Sequence, residues 1–135
     1  MLRCDQAGLS VGDTMRRPNA LRQLIQDVVG IYDAYLATGT KKWTYDTAAR
    51  DLTYQVGSLT KYVMQLNGER HHENKSRKEI ISGISDELAD ILAEVLFISK
   101  ELDIDLDVAW GKMLASDRSK IAQRKVETEP HAHVN

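Results

Sequence analysis

This chain of 135 residues has little that would mark it as secreted, membrane-bound or nucleic-acid-binding. Cys4 is its only cysteine, so no internal disulfide can form, as suits a reducing compartment. No apolar run approaches the roughly 18 residues of a spanning helix. Arg16 and Arg17 are followed by Pro18 and Asn19 rather than an apolar segment, so no signal peptide is read and the expected location is cytoplasmic. Charge of one sign is not in excess. The net charge is -2 and the isoelectric point about 6.1, which gives no overall basic footprint for nucleic acid. Strand-like alternation of useful length and internal repeats are missing too.

Apolar residues at helical spacing are plentiful. The content is 42% hydrophobic and 28% charged, ordinary for a globular protein. At this length the chain reads as one domain, large enough to bury about two thirds of its unfolded surface. Residues 1–17 carry Ser10, Gly8 and Gly12 without periodicity and read as an irregular arm. A first helix starts at Pro18, which suits a first helical turn, and repeats Leu21, Leu24, Ile25, Val28, Tyr32, Tyr35 and Leu36 to about Ala37. A second runs from about Thr47 to Leu66, with Leu52, Val56, Leu59, Val63 and Leu66 as its apolar face, and Asn67-Gly68 stops it. Ser76 and Glu79 form a capping-box pattern ahead of Ile80 and Ile81 and open a third helix that continues to about Leu102. Asp103 or Asp105 caps a fourth, which reaches about Lys125, and residues 126–135 read as a frayed tail. Together these predict an all-α, antiparallel four-helix bundle over 18–125 with the third helix central.

The third helix carries the chemistry. Glu87, Asp90 and Glu94 are spaced three then four apart and so lie in one narrow sector. Ile84, Leu88, Ile91, Val95, Ile98 and Leu102 form an apolar sector beside it. Acids at the margin of a buried face need a hydrogen bond, an ion partner or a cation. Clustered carboxylates suit a hard cation such as Mg²⁺.

With Trp43 before the second helix, QVGSLTK at 55–61, DELAD at 86–90, and the passage from ELDIDLDVAW at 101–110 to KIAQR at 120–124, the region from about 19 to 125 resembles the MazG-like, all-α nucleoside triphosphate pyrophosphohydrolases. That family pairs an EExxE motif with an ExxD motif on neighbouring helices and follows them with a Lys and an Arg on the last helix. The resemblance implies that the acids hold Mg²⁺, with Mn²⁺ as an alternative, and that a water attacks the α-phosphate to give the monophosphate and pyrophosphate. It also implies a homo-oligomer, dimer or tetramer. Glu87 and Asp90 match ExxD and are the implied catalytic and metal residues; Glu94, on the same stripe, is either a further metal ligand or part of a solvated helix edge. Lys120 and Arg124 match the basic pair. The first acidic motif is not matched, because its acid positions hold Tyr54, Gln55 and Ser58. Gln55 and Ser58 keep neutral oxygens that a cation accepts. Two readings therefore stand: a pyrophosphohydrolase of weak or altered activity, and a non-catalytic relative that binds nucleotides or serves as an oligomeric scaffold.

Other residues carry paired readings. Asp51 lies four residues before Gln55 and is either a substitute carboxylate or a solvated acid near a helix N-terminus, the second being favoured. Asp117 sits within an expected inward stripe of Leu106, Trp110, Leu114 and Ile121, and is either an ion-pair partner of Lys120 and Arg124 or a polar group facing the substrate. Trp43 is a candidate to stack on a base, although packing over the bundle end is the commoner fate of such a residue. The basic loop with His71 and His72 reads as solvated, and His131 and His133 as part of the tail.

Overall fold

A computed structural model describes residues 18–128, with side chains from 21 to 125. The irregular arm expected over 1–17 and the tail from 129 onward lie outside the described residues. Four helices account for the rest: α1 (Pro18–Ala37), α2 (Tyr45–Leu66), α3 (Arg77–Glu101) and α4 (Leu106–Thr128). No strand occurs among the described residues, and none of their helices is long and apolar enough to cross a membrane. The all-α class follows from this architecture.

Local chemistry explains the boundaries. Thr44 caps α2 by accepting from the Thr47 N–H at 3.3 Å, which starts the helix at Tyr45, two residues before the start expected at about Thr47. Ser76 caps α3 in a full capping box: its hydroxyl accepts from the Glu79 N–H, while the Glu79 carboxylate accepts from the Ser76 N–H at 2.7 Å. Asp105 caps α4 by accepting from the Val108 N–H at 3.0 Å. Asp103 lies at φ 52 and breaks the chain out of α3. Gly68, at φ 75, follows Asn67 and ends α2 in the left-handed region that glycine adopts without penalty.

Helix α3 is the spine. It packs along α2 on one side, and α1 lies against it on another. Side chains low in the numbering of α2 meet those high in α3: Asp51 sits beside Glu94, and Ser58 bonds Glu87. Gly83 permits this closeness. A Cβ there would stand 2.6 Å from the Tyr62 ring. Among the described residues the buried apolar side chains are few: Ala48, Ile80, Leu96 and Phe97.

Helix α4 differs from the expectation of an inward stripe. Leu106 and Leu114 are half-buried, but Trp110 is 63% and Ile121 54% exposed. The physical reason is area. With α1 and α2 already on α3, the short Leu102–Asp105 connection gives α4 little apolar surface among the described residues to pack on. On α3 the periodicity is likewise divided: Ile84, Ile91 and Ile98 turn inward, whereas Leu88, Val95 and Leu102 stay exposed.

Candidate functional site

A cavity of about 850 Å³ opens between α1, the loop after it, and the paired helices α2 and α3. Three kinds of chemistry meet in it. Tyr32 and Trp43 are stacked, with centroids 5.6 Å apart and planes 19° from parallel. Asp51, Gln55, Asp90 and Glu94 line the helix side. Lys41, Lys42 and Arg50 supply cations around the mouth, where all three are exposed and Arg50 bonds Asp46.

Glu94 is the anchor of this arrangement. It is only 4% exposed. The Tyr32 hydroxyl donates to its Oε1 at 2.9 Å, and the Trp43 indole N–H reaches its Oε2 at 3.4 Å. Phe97 closes the aromatic cluster against Tyr32 at 4.4 Å. A buried carboxyl with two donors is a satisfied group rather than a bare charge. Burial raises its pKa, the hydrogen bonds from Tyr32 and Trp43 pull it back, and Asp51 beside it raises it again. The Tyr32 hydroxyl is pushed upward as well, by burial first and then by its bond to Glu94. Asp90 is raised by desolvation and by the neighbouring Glu87, Asp86 and Asp51.

Asp51 is not the solvated acid favoured on sequence grounds. It is half-buried, lines the cavity, and accepts from the Gln55 amide at 3.1 Å. The signal was in the sequence, since Asp51 shares a stripe with Gln55 and Ser58. Tyr32, in contrast, reads from periodicity as an ordinary apolar position, and only the tertiary contact reveals its hydroxyl.

Glu87 and Ser58 sit one turn further along, outside the cavity lining. The Ser58 hydroxyl donates to Glu87 Oε1 at 2.5 Å, and Glu87 Oε2 is buried with no hydrogen-bond partner. An orphaned buried carboxylate oxygen is a natural ligand for a cation. Of the residues singled out for a metal, Glu87 is thus the one with an unsatisfied oxygen, and Asp90 lies three residues on along the same helix. Among the described residues no three His, Cys, Asp or Glu side chains gather as a metal-binding cluster, so the predicted trio with Glu94 is not assembled as one ligand set. Glu94 faces the aromatics instead.

The fourth helix is not part of this site. Asp117, Lys120 and Arg124 lie on α4, which contributes nothing to the cavity lining. Asp117 and Lys120 form an exposed pair at 3.3 Å. The loop with His71 and His72 is also remote from the lining; the two exposed rings stack on each other at 5.5 Å. No protein-family model, curated protein or solved structure matches this chain.

Proposed function

We propose that this chain is a MazG-like nucleotide protein that binds a nucleoside triphosphate in the cavity between α1 and the α2–α3 pair and cleaves it, slowly, to the monophosphate and pyrophosphate. The observation that carries the reading is the cavity itself, where an aromatic pair, a carboxylate wall and a cationic mouth meet in one space large enough for a nucleotide. Aromatic faces take bases and exposed cations take phosphates. The sequence resemblance over DELAD points to the same chemistry.

Glu87 and Asp90 are the residues that would hold Mg²⁺, or Mn²⁺ in its place. Such an ion supplies Lewis-acid polarisation of a phosphoryl group and neutralises charge developing there. The chain's own part is to bind and orient. Lys41 and Lys42 draw the phosphates in, while Gln55 and Asp51 define the wall beside Asp90. Gln55 and Ser58 in place of acids leave one ion's worth of carboxylate, which is why turnover is slow in this account. The chain is also proposed to be a homo-oligomer, because Trp110 and Ile121 on α4 and Leu88, Leu92 and Val95 on α3 are exposed in every copy, and a second copy supplies the matching apolar surface.

One observation favours a second reading. The Ser58 hydroxyl bonds the carboxylate that would otherwise face a metal, which suits a non-catalytic nucleotide-binding relative. A pyrophosphate-release screen over the common nucleoside triphosphates, with Mg²⁺ and with Mn²⁺, separates the two. Slow release that is lost in Glu87→Gln is expected. Background rates throughout, together with measurable nucleotide binding, would establish the non-catalytic reading.

A further inference from the structure

We infer that the cavity reads its ligand through N–H donors: it takes a nucleotide whose base carries an exocyclic amine, as adenine, cytosine and guanine do, in preference to uracil or thymine. The inference rests on the nucleotide reading above and adds the base class to it. Its basis is the balance of donors and acceptors in the cavity wall.

The helix side presents acceptors. Asp51, Asp90 and Glu94 offer carboxylate oxygens, each with several lone-pair sites. The Gln55 amide nitrogen is turned to Asp51, so its carbonyl oxygen adds another acceptor. Several neutral donors nearby are committed within the protein, while Tyr35, whose hydroxyl is not, is exposed. Tyr32 and Trp43 both donate to Glu94. The Thr40 hydroxyl donates to the Tyr35 carbonyl at 2.7 Å, and the Thr47 hydroxyl pairs with that of Thr44 at 3.0 Å. The cations at the mouth are exposed and suit phosphates rather than a ring edge.

A base lying on the Tyr32–Trp43 pair therefore turns its edge towards oxygens. An amine finds an acceptor there, whereas a carbonyl meets lone pairs and goes unpaired. One such unmade hydrogen bond in a shielded site corresponds to roughly tenfold or more in affinity. Adenine, cytosine and guanine each carry an amine where uracil and thymine carry only carbonyls and a single ring N–H.

The test is calorimetric titration of the full chain with ATP, CTP, GTP, UTP and dTTP, in buffer with EDTA so that neither a metal nor turnover enters. The three amine-bearing nucleotides are expected to bind about tenfold or more tightly than UTP and dTTP. Glu94→Gln is expected to narrow that gap, since the new amide brings a donor that a carbonyl can use. Asp51→Asn makes the same change at a less buried position and serves if Glu94→Gln does not fold. Equal affinity for all five, or tighter binding of UTP, overturns the base inference and leaves the nucleotide reading standing. Binding of none, in EDTA and equally in a parallel titration with Mg²⁺, overturns both. A gap unchanged in whichever of these variants fold removes the two carboxylates from the assignment.

Discussion

Glu94 and Asp90 carry carboxyls whose folded environment favours the proton: burial acts first on both, opposed at Glu94 by the hydrogen bonds from Tyr32 and Trp43 and reinforced at Asp90 by the neighbouring acids. Such a group binds more protons folded than unfolded, so stability falls as pH rises through the interval between the two pKa values. As pH is lowered towards the ordinary carboxylate range in metal-free buffer, the Tm should rise, because the folded state holds these protons more tightly than the unfolded chain does. Glu94→Gln should flatten the slope, and a wild-type Tm that falls over this range would refute the assignment. Ser58 is the second residue with a readable consequence. Its hydroxyl bonds Glu87 where the resembled family carries an acid. Introducing Gln55→Glu with Ser58→Glu adds carboxylates beside Glu87 and Asp90. The double variant should melt lower than wild type in EDTA, from like-charge repulsion, and recover with Mg²⁺, while pyrophosphate release rises by orders of magnitude. No stabilisation by Mg²⁺ would show that these acids do not face one ion. At this scale Asp90 and Gln55, which line the cavity, could be singled out in the sequence by the helical stripes they share with other polar residues. The Tyr32 bond to Glu94 was not, since it joins residues 62 positions apart.

Among the elements, α3 is defined at both ends by local chemistry and at its middle by a neighbour. Its capping box satisfies backbone donors that a helix start leaves open, and Ser76→Ala should cost about 1 kcal/mol in a denaturant titration. Gly83 behaves in the opposite way from an ordinary helical glycine. Alanine at an open helix position adds roughly 0.5–1 kcal/mol of stability. At Gly83 the new methyl would stand 2.6 Å from the Tyr62 ring, so Gly83→Ala should instead destabilise by about 1–3 kcal/mol. Tyr62→Leu in the same background should recover part of the loss, and a stabilised Gly83→Ala would show that the α2–α3 contact is looser than described. Caps and stops could be read from the sequence because they involve residues within three or four positions. The approach of Tyr62 to Gly83 could not, because a glycine within a helical pattern carries no label for what passes over it.

For the whole molecule the question is what covers α4. Among the described residues Trp110, Met113 and Ile121 of this helix are exposed and the buried apolar side chains are few, which is the basis of the oligomer proposal. Sedimentation at micromolar concentration should give a species larger than the 15.2 kDa chain, and Trp110→Asp should shift it towards that mass. A wild type that sediments only as the single chain would end the oligomer proposal. The periodicity of α4 marks an apolar stripe without saying which surface receives it, whether its own chain or another.

The sequence by itself determined four helices, where three of them start and stop, and that acids lie on the inner margin of the third. Those properties depend on period, caps and breakers, all of them short in range. Only the tertiary structure decided that Asp51 belongs to the cavity, that Glu94 turns to Tyr32 and Trp43 rather than joining Glu87 and Asp90, and that Asp117, Lys120 and Arg124 stand apart from it. Each depends on which faces the helices present to one another, and a one-dimensional pattern leaves that open because a given stripe can be buried against more than one neighbour.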